Sequence, residues 1–367
     1  MHVFLGMHIA YTNEKTAVIT MREYLEEAIS ESGMDVQSTA PTPATKNLFD
    51  VDEKSAPLAR KEGEVFHSVS AKLLYVAIRA RMDILLAVIF LCTRVSKCTA
   101  QDNQKLRCLL QYISGTLDRK YTLGADDMGK LRAWVDASYA VHPDFKSHTG
   151  GGVMSLGRGG LVCKSSKQKL NTKSSTEAEL VGVSDYLPNI LWVTNFLKEQ
   201  GYDVVENILE HESKSAIKLE TNGRMSAGPR SRHIDIRYFW IKDRTSAAGI
   251  KIRHCPTLQL LGDFFTKPLQ GSLFRVFRNV ILGDEHTGVL AQYPAAPTEE
   301  RVGIEQSNYS GTVPDNHDKT VTVQLKENVS WADVVRTQKP KQMANTIADS
   351  KNVSRGCELI LSKQCRE

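Results

Sequence analysis

The chain has 367 residues, enough for two or three domains, with 41% hydrophobic and 24% charged residues, as in a soluble globular protein. A net charge of +5 excludes a uniformly basic nucleic-acid coat, so any nucleic-acid face has to come from local clustering. Seven scattered cysteines with no CxxC pair argue against zinc and against a disulfide framework, and point to a reducing, intracellular compartment.

The N-terminus, MHVFLGMHIAYTNEK, has an apolar run without a basic lead-in or a small-residue cleavage site, so no signal peptide is expected. A short strand pair and a helix near 20–32 come first. A polar linker rich in Pro, Thr and Ser covers about 36–61. Two amphipathic helices follow, near 66–95 and 101–115. In the first, Leu73, Leu74, Ala77, Ile78, Ile84, Leu85 and Val88 recur at three- and four-residue steps. The longest apolar stretch, 84–92, is far too short to span a membrane.

The middle of the chain alternates like a strand over 131–141, with Ala133 and Val135 on one side and Trp134 and Asp136 on the other. Strands at 150–156 and 161–167 make a hairpin around Gly157-Arg158-Gly159-Gly160. A long helix is expected from Thr176, kinked at Pro188 and ended by Gly201. A strand at 207–212, helices at 215–219 and 233–245, a strand at 250–254 and a final helix at 258–269 complete the order. Beyond Gly283 only Tyr293, Tyr309 and Trp331 are aromatic, so 284–367 reads as a low-complexity, disordered tail, with one short strand at 320–325.

Acidic residues give the chemical signal. Asp136, Glu179, Glu212 and Asp263 come from four separate elements, and carboxylates converging from separate elements suit a divalent-metal site for phosphoryl transfer. Each has a plainer reading as a strand-end or helix-capping acid. Glu177 lies roughly 200° around the helix from Glu179, so both cannot face one site, and Glu177 reads as a cap. Lys164, Lys167, Lys169 and Lys173 precede the long helix, and Arg224, Arg230 and Arg232 with His233 make a second basic loop. Both groups are solvated faces by default and candidate phosphate contacts near the acids. His233 reads first as an internal hydrogen-bonding residue.

Several short motifs stand in a fixed order: FLG, FHSVSAKLLYVAIRARMDILLAV, VDASYA, SSKQK, SSTEAEL, KSAIKLE, RHIDIRYFWIKD and DFFTKPL. This order resembles the end of a copia-type LTR retrotransposon polyprotein, over about residues 2–282. The abrupt apolar start also suits a piece of a longer polyprotein. The resemblance implies a mixed α/β chain with a ribonuclease H-like five-stranded mixed sheet and flanking helices over 126–283. It implies that 1–125 is a mainly helical, reverse-transcriptase-derived segment. The family's aromatic-Asp-Asp polymerase hairpin is missing. Asp126-Asp127 in LGADDMG lacks the aromatic and reads as a solvated turn, so no polymerase activity is expected.

By the same resemblance Asp136, Glu179, Glu212 and Asp263 are catalytic and bind two Mg²⁺, with Mn²⁺ as a substitute, and no small-molecule cofactor or membrane is involved. The substrate implied is the RNA strand of an RNA–DNA hybrid, recognised by duplex shape and 2′-hydroxyls. Where the family has Asp-Asn, this chain has Glu212-Ser213. The extra methylene displaces a carboxylate by about an ångström, which can cost on the order of 10²-fold in rate. Two classes of function therefore stay open: a weakened hybrid nuclease, or an inactive remnant that at most binds nucleic acid. A third role is as a subunit of an intact reverse transcriptase. The sequence does not choose between cytoplasm and nucleus.

Overall fold

The computed structural model describes residues 1–222 and 235–293. The chain starts with three antiparallel strands, β1 (His2–Phe4), β2 (Met7–Tyr11) and β3 (Ala17–Thr20), so the expected strand pair is a triplet. Helix α1 (Arg22–Ser32) buries Leu25 and Ala28 and stops at Gly33, whose φ of 61° is the left-handed helix-ending conformation.

The expected helix at 66–95 is two. Helix α2 (Arg60–Ala77) and α3 (Leu85–Cys92) are separated by a 3₁₀ turn, Met82–Ile84. Apolar periodicity runs across the break, which is why the sequence hides it. The break is held by Arg81, whose guanidinium grips Asp83 at 2.8 and 2.9 Å, both side chains buried, and also reaches half-buried Thr116 at 2.8 Å. Tyr112 on α4 (Ala100–Ser114) donates a 2.7 Å hydrogen bond to the same Asp83. A continuous helix would carry Arg81 and Asp83 off this network and leave a charge unpaired in the core. Strand β4 (Tyr121–Ala125), which the sequence pattern did not give, closes the first sheet on β3.

The second sheet is built from β5 (Lys130–Val135), β6 (Ala137–Ser138), β7 (His148–Ser155), β9 (Val162–Lys167), β10 (Glu206–His211) and β11 (Ile250–His254). Between β7 and β9 a two-residue strand, β8 (Gly157–Arg158), pairs with β4 and joins the first sheet. The main strands lie in the order β9-β7-β5-β10-β11. The first two pairings are antiparallel and the last two parallel, giving the expected ribonuclease H-like five-stranded mixed sheet. The stub β6 adds a sixth strand beside β7 after a break at Asp136.

One face of this sheet buries Leu131, Ala133 and Val135 against α5 (Ser175–Glu199), through Leu180, Val183, Leu187 and Ile190. The helix continues through Pro188 and ends just before Gly201, at φ 86°. Helices α6 (Lys214–Asn222) and α7 (Asp235–Ala247) follow on either side of the undescribed segment. The opposite face places Trp134 and Val153 in a larger apolar cluster with α1 to α4. The final helix expected at 258–269 is instead two 3₁₀ turns, Thr257–Gln259 and Leu261–Phe265. Pro268 then precedes a real helix, α8 (Gly271–Leu282), which buries Phe274, Phe277, Val280 and Ile281. Leu290, in a turn at Thr287–Gln292, is also buried, so order extends past 283. The rest of the expected tail, 294–367, lies outside the described residues, as does the expected strand at 320–325.

The expected linker at 36–61 has no helix before α2 begins at Arg60 and no long strand, yet it contributes Thr42, Leu48 and Phe49 to the interior. Phe49 packs its ring 5.2 and 5.5 Å from His142 and His148, which are buried and 3.0 Å apart, Nε2 to Nδ1. Ser165 Oγ donates to the Phe265 carbonyl and therefore accepts from His148 Nε2 at 2.7 Å. That order leaves both rings neutral. Burial lowers His142 to about 4, with Lys167 adding to the effect, and burial with His142 alongside lowers His148 to about 3. Unfolded histidines titrate near 6.5, so the unfolded chain takes up protons first as pH falls. The contribution of this pair to stability is whole above about 6.5 and drains away toward 4 and 3. We expect it to cost about 3 kcal/mol per pH unit between about 6 and 4, two protons each carrying 1.36 kcal/mol per unit. Urea unfolding at pH 6.5 and 5 measures it, and His142→Phe, which keeps a ring on Phe49, should halve it.

Candidate metal centre

Three of the four expected acids meet. Asp136 lies at the break between β5 and β6, Glu212 just beyond the end of β10, and Asp263 in the 3₁₀ turn Leu261–Phe265. One carboxylate oxygen from each comes within 4.8 Å of the others. Asp136 and Asp263 are buried, and Glu212 is half-buried at the rim.

The backbone that sets this geometry is unusually close-packed. Asp136 donates its amide to the Gly151 carbonyl at 3.0 Å, fixing the strand break against β7. Gly262 lies against Gly151: a methyl on Gly262 would stand 2.5 Å from the Gly151 oxygen and 2.8 Å from the Asp136 nitrogen. Only a pair of glycines lets the turn carrying Asp263 press onto the strand carrying Asp136. Thr266 donates its hydroxyl to Asp136 Oδ2, and Thr257 donates to Glu212 Oε1.

The electrostatics are those of crowded anions. Burial, with the charge of Asp136 adding to it, pushes Asp263 up to about 8, against the pull of Lys267. Lys267 Nζ sits 2.7 Å from Asp263 and 3.7 Å from Asp136, and its two acidic neighbours outweigh burial and raise its own pKa above the usual lysine range. One lysine thus faces two buried aspartates and a rim glutamate, a surplus of negative charge. Hard carboxylate oxygens at this spacing fit a hard divalent cation.

Glu179 lies within reach of the charges of Asp136 and Lys267. On the second turn of α5, it accepts a hydrogen bond from His211 Nε2 at 3.1 Å. Burial pushes it up to about 7, with the charge of Asp136 adding and the His211 bond opposing. Burial alone would lower His211, but Glu220 and Glu179 on its two sides lift it to about 10. Glu177 takes part in the helix cap, as expected: its amide donates to Ser174 Oγ at 3.2 Å, and its carboxylate accepts from the Lys173 amide at 2.7 Å.

Of the basic candidates, Lys164 is tied to the Asp185 carbonyl at 3.2 Å and Lys167 to Asp144 at 2.8 Å, while Lys169 and Lys173 are exposed. Arg224, Arg230, Arg232 and His233 lie outside the described residues. Sequence reasoning missed Lys267, His211 and Glu220. Lys267 was visible four residues after Asp263, one turn away in any helical geometry. Nothing in the sequence marked the other two.

No protein-family model matches the chain, and no solved structure matches it. Curated relatives do. The chain is 25% identical over 283 residues to the retrovirus-related Pol polyprotein from transposon TNT 1-94 of Nicotiana tabacum, covering 76% of this chain and 21% of that protein. It is 26% identical over 286 residues to the corresponding polyprotein from transposon RE1 of Arabidopsis thaliana, covering 77% and 19%. For the transposon Ty1-ER2 Gag-Pol polyprotein of Saccharomyces cerevisiae the figures are 24% over 288 residues, 75% and 16%. Its homologues are copia-type Pol polyproteins. The chain spans about a fifth or less of the length of these Pol relatives. Pol homology over three quarters of the chain supports a retroelement-derived enzyme region. No helix among the described residues is long and apolar enough to cross a membrane.

Proposed function

We propose that residues 126–283 form a ribonuclease H-type nuclease acting on the RNA strand of RNA–DNA hybrids, and that 1–125 derive from the end of a reverse transcriptase without its polymerase centre. The observation that carries this reading is the meeting of Asp136, Glu212 and Asp263 from three separate elements at one end of a mixed sheet. Asp136 and Asp263 would hold Mg²⁺ from the buried side and Glu212 from the rim, with Glu179, on which the charge of Asp136 acts, as the fourth acid. Bound there, Mg²⁺ would activate a water and neutralise charge on the leaving oxygen. Thr266, Thr257 and the Gly151–Gly262 contact hold the carboxylates in place before substrate arrives, and Lys267 supplies a cation beside the incoming phosphate. Exposed Lys169 and Lys173 are suited to backbone phosphates further along the hybrid.

The extra methylene of Glu212 takes on a different meaning in this geometry. Its carboxylate already reaches the two aspartates, with Thr257 steadying it, so the longer side chain provides reach. The test is cleavage of a labelled RNA–DNA hybrid by the whole chain with Mg²⁺ or Mn²⁺. Cleavage should appear in the parent and fall about 10²-fold in Glu212→Asp, whose carboxylate is drawn back by a bond length. A faster Glu212→Asp would make the methylene a defect after all. No cleavage by the folded parent or by this variant would leave the remnant reading standing.

A further inference from the structure

We propose that the loop between β6 and β7, residues 139–147, is a base-stacking platform, on which Phe145 and Tyr139 receive an unpaired nucleobase where a strand of the hybrid frays or continues beyond the duplex. That the strand belongs to a hybrid rests on the nuclease reading above; the affinity of the loop for an unpaired base does not.

Phe145 is 74% exposed and Tyr139 43% exposed. A lone apolar ring at a surface needs no explanation, but this one is displayed on a strained and closely tied backbone. Phe145 has φ 56° and Ala140 φ 52°, so two of the four non-glycine residues with positive φ among the described residues fall in this one loop. A bulky side chain is rarely found there, and such backbone persists only where its surroundings hold it. Here the Phe145 amide donates to the His142 carbonyl at 2.8 Å, the His142 amide to the Lys146 carbonyl at 3.1 Å, and the Ala140 amide to Ser147 Oγ at 3.1 Å. The His142 ring is buried against Phe49 and His148. The loop is therefore a fixed mount for an exposed ring. Both its ends lie beside the acids. Strand β6 directly follows Asp136 and pairs Ala137 with Thr149 and Ser138 with His148, while Ser138 Oγ donates at 3.1 Å to the Thr266 carbonyl, just past Asp263. The flank of the loop is basic. Segment 164–177 adjoins it through Lys167 with Asp144 at 2.8 Å, Thr172 with Ser147 at 3.0 Å, and the Gln168 amide with the Ser147 carbonyl at 2.9 Å. Loop and segment together hold five lysines against two carboxylates, Asp144 and Glu177, a surplus that favours a phosphate backbone. Aromatic faces on a basic surface suit an unpaired strand: bases stack on the rings and phosphates meet the lysines, whatever the sequence. A base inside a duplex has its faces covered by its neighbours, so the rings select single-stranded nucleotides.

The test is binding of the full chain to labelled RNA–DNA hybrids in EDTA, where cleavage plays no part, read by fluorescence anisotropy. One hybrid is blunt; the others carry a short single-stranded extension of RNA or of DNA at the 5′ or the 3′ end. At least one extended hybrid should bind about tenfold more tightly than the blunt one, the scale of one stacked base. Phe145→Ala should remove that preference and leave the blunt affinity within about twofold, as expected of a base contact, while Phe145→Trp should keep the preference. Phe145→Asn, a residue that tolerates the left-handed conformation, should lose the preference and melt at a higher temperature. Lys169→Ala should weaken blunt and extended hybrids alike, as a phosphate contact does. The proposal is overturned if every extended hybrid binds within about twofold of the blunt one, or if the preference survives Phe145→Ala. A lower melting temperature in Phe145→Asn would make the ring a packing residue and overturn it too. If the blunt hybrid is neither bound nor, with Mg²⁺ or Mn²⁺, cleaved, the nuclease reading fails by itself. A single-stranded oligonucleotide then decides the platform, which stands if Phe145→Ala weakens its binding about tenfold and falls if it does not.

Discussion

Asp136→Asn is expected to abolish hybrid cleavage, weaken Mn²⁺ binding by at least about 10²-fold, and yet raise the melting temperature. The loss follows from position: Asp136 is the acid at the strand break, buried, with Thr266 on one oxygen and Lys267 3.7 Å from the other. Groups behind a metal ligand already cost 10- to 100-fold when removed, and a ligand itself should cost no less. The stabilisation follows from crowding. Asp136 is the charge that helps push Asp263 up to about 8, so a neutral amide relieves that repulsion while its oxygen can still accept from Thr266. A gain of about 1–2 kcal/mol is reasonable for relaxing a site kept for function. Calorimetric melting with parallel Mn²⁺ titration checks both halves. A variant that loses stability as well as metal would mark the acids as part of a structural ion-pair network with Lys267.

The second large effect concerns packing. Gly151→Ala should destabilise the protein by about 3 kcal/mol and weaken Mn²⁺ binding together. The new methyl would stand 2.3 Å from the Gly262 oxygen and 2.8 Å from the Thr266 side chain, with backbone on the far side that cannot swing away. Relief requires moving the turn that carries Asp263 and Thr266, which separates the two aspartates. Gly152→Ala is the comparison. Its methyl would fall 2.0 Å from the ring of buried Tyr186, against α5 and away from the acids. That variant should lose as much stability or more and, where folded, keep the parent's Mn²⁺ affinity. Urea unfolding and Mn²⁺ titration of the two variants separate packing at the centre from packing in general.

The elements of the sheet were legible because their side chains alternate over a face that is buried. Leu131, Ala133 and Val135 point to α5 and Trp134 to the other cluster, as the spacing implied. The acids were picked out differently, as carboxylates on separate elements within motifs that resemble those of copia-type polyproteins. Strand β4 and the break at Arg81 were not, because both answer to partners distant in sequence: β3 in one case, Asp83 with Thr116 and Tyr112 in the other. The 3₁₀ turn under Asp263 was misread as helix, since its shape is imposed by Gly151, more than a hundred residues earlier. The position of Glu179 was hidden for a further reason. Sequence order shows which acids exist, while the partner each one takes depends on His211 and Glu220 arriving from two other elements.

The larger apolar cluster runs from Met21 and Leu25 through α2, α3 and α4 to Leu261, Phe264, Phe265, Phe274 and Phe277. The turn bearing Asp263 is therefore seated on the first segment of the chain, while the strand bearing Asp136 lies on the other side of that seat. Two lineages of such an element that exchanged sequence near residue 125 would inherit one half of a mould and the other half of its casting. Recombinants joined there should be recovered rarely, and those that survive should carry compensating changes along α3, α8 and the turn between them. The placement of the acids thus depends on leucines and phenylalanines that are not among them.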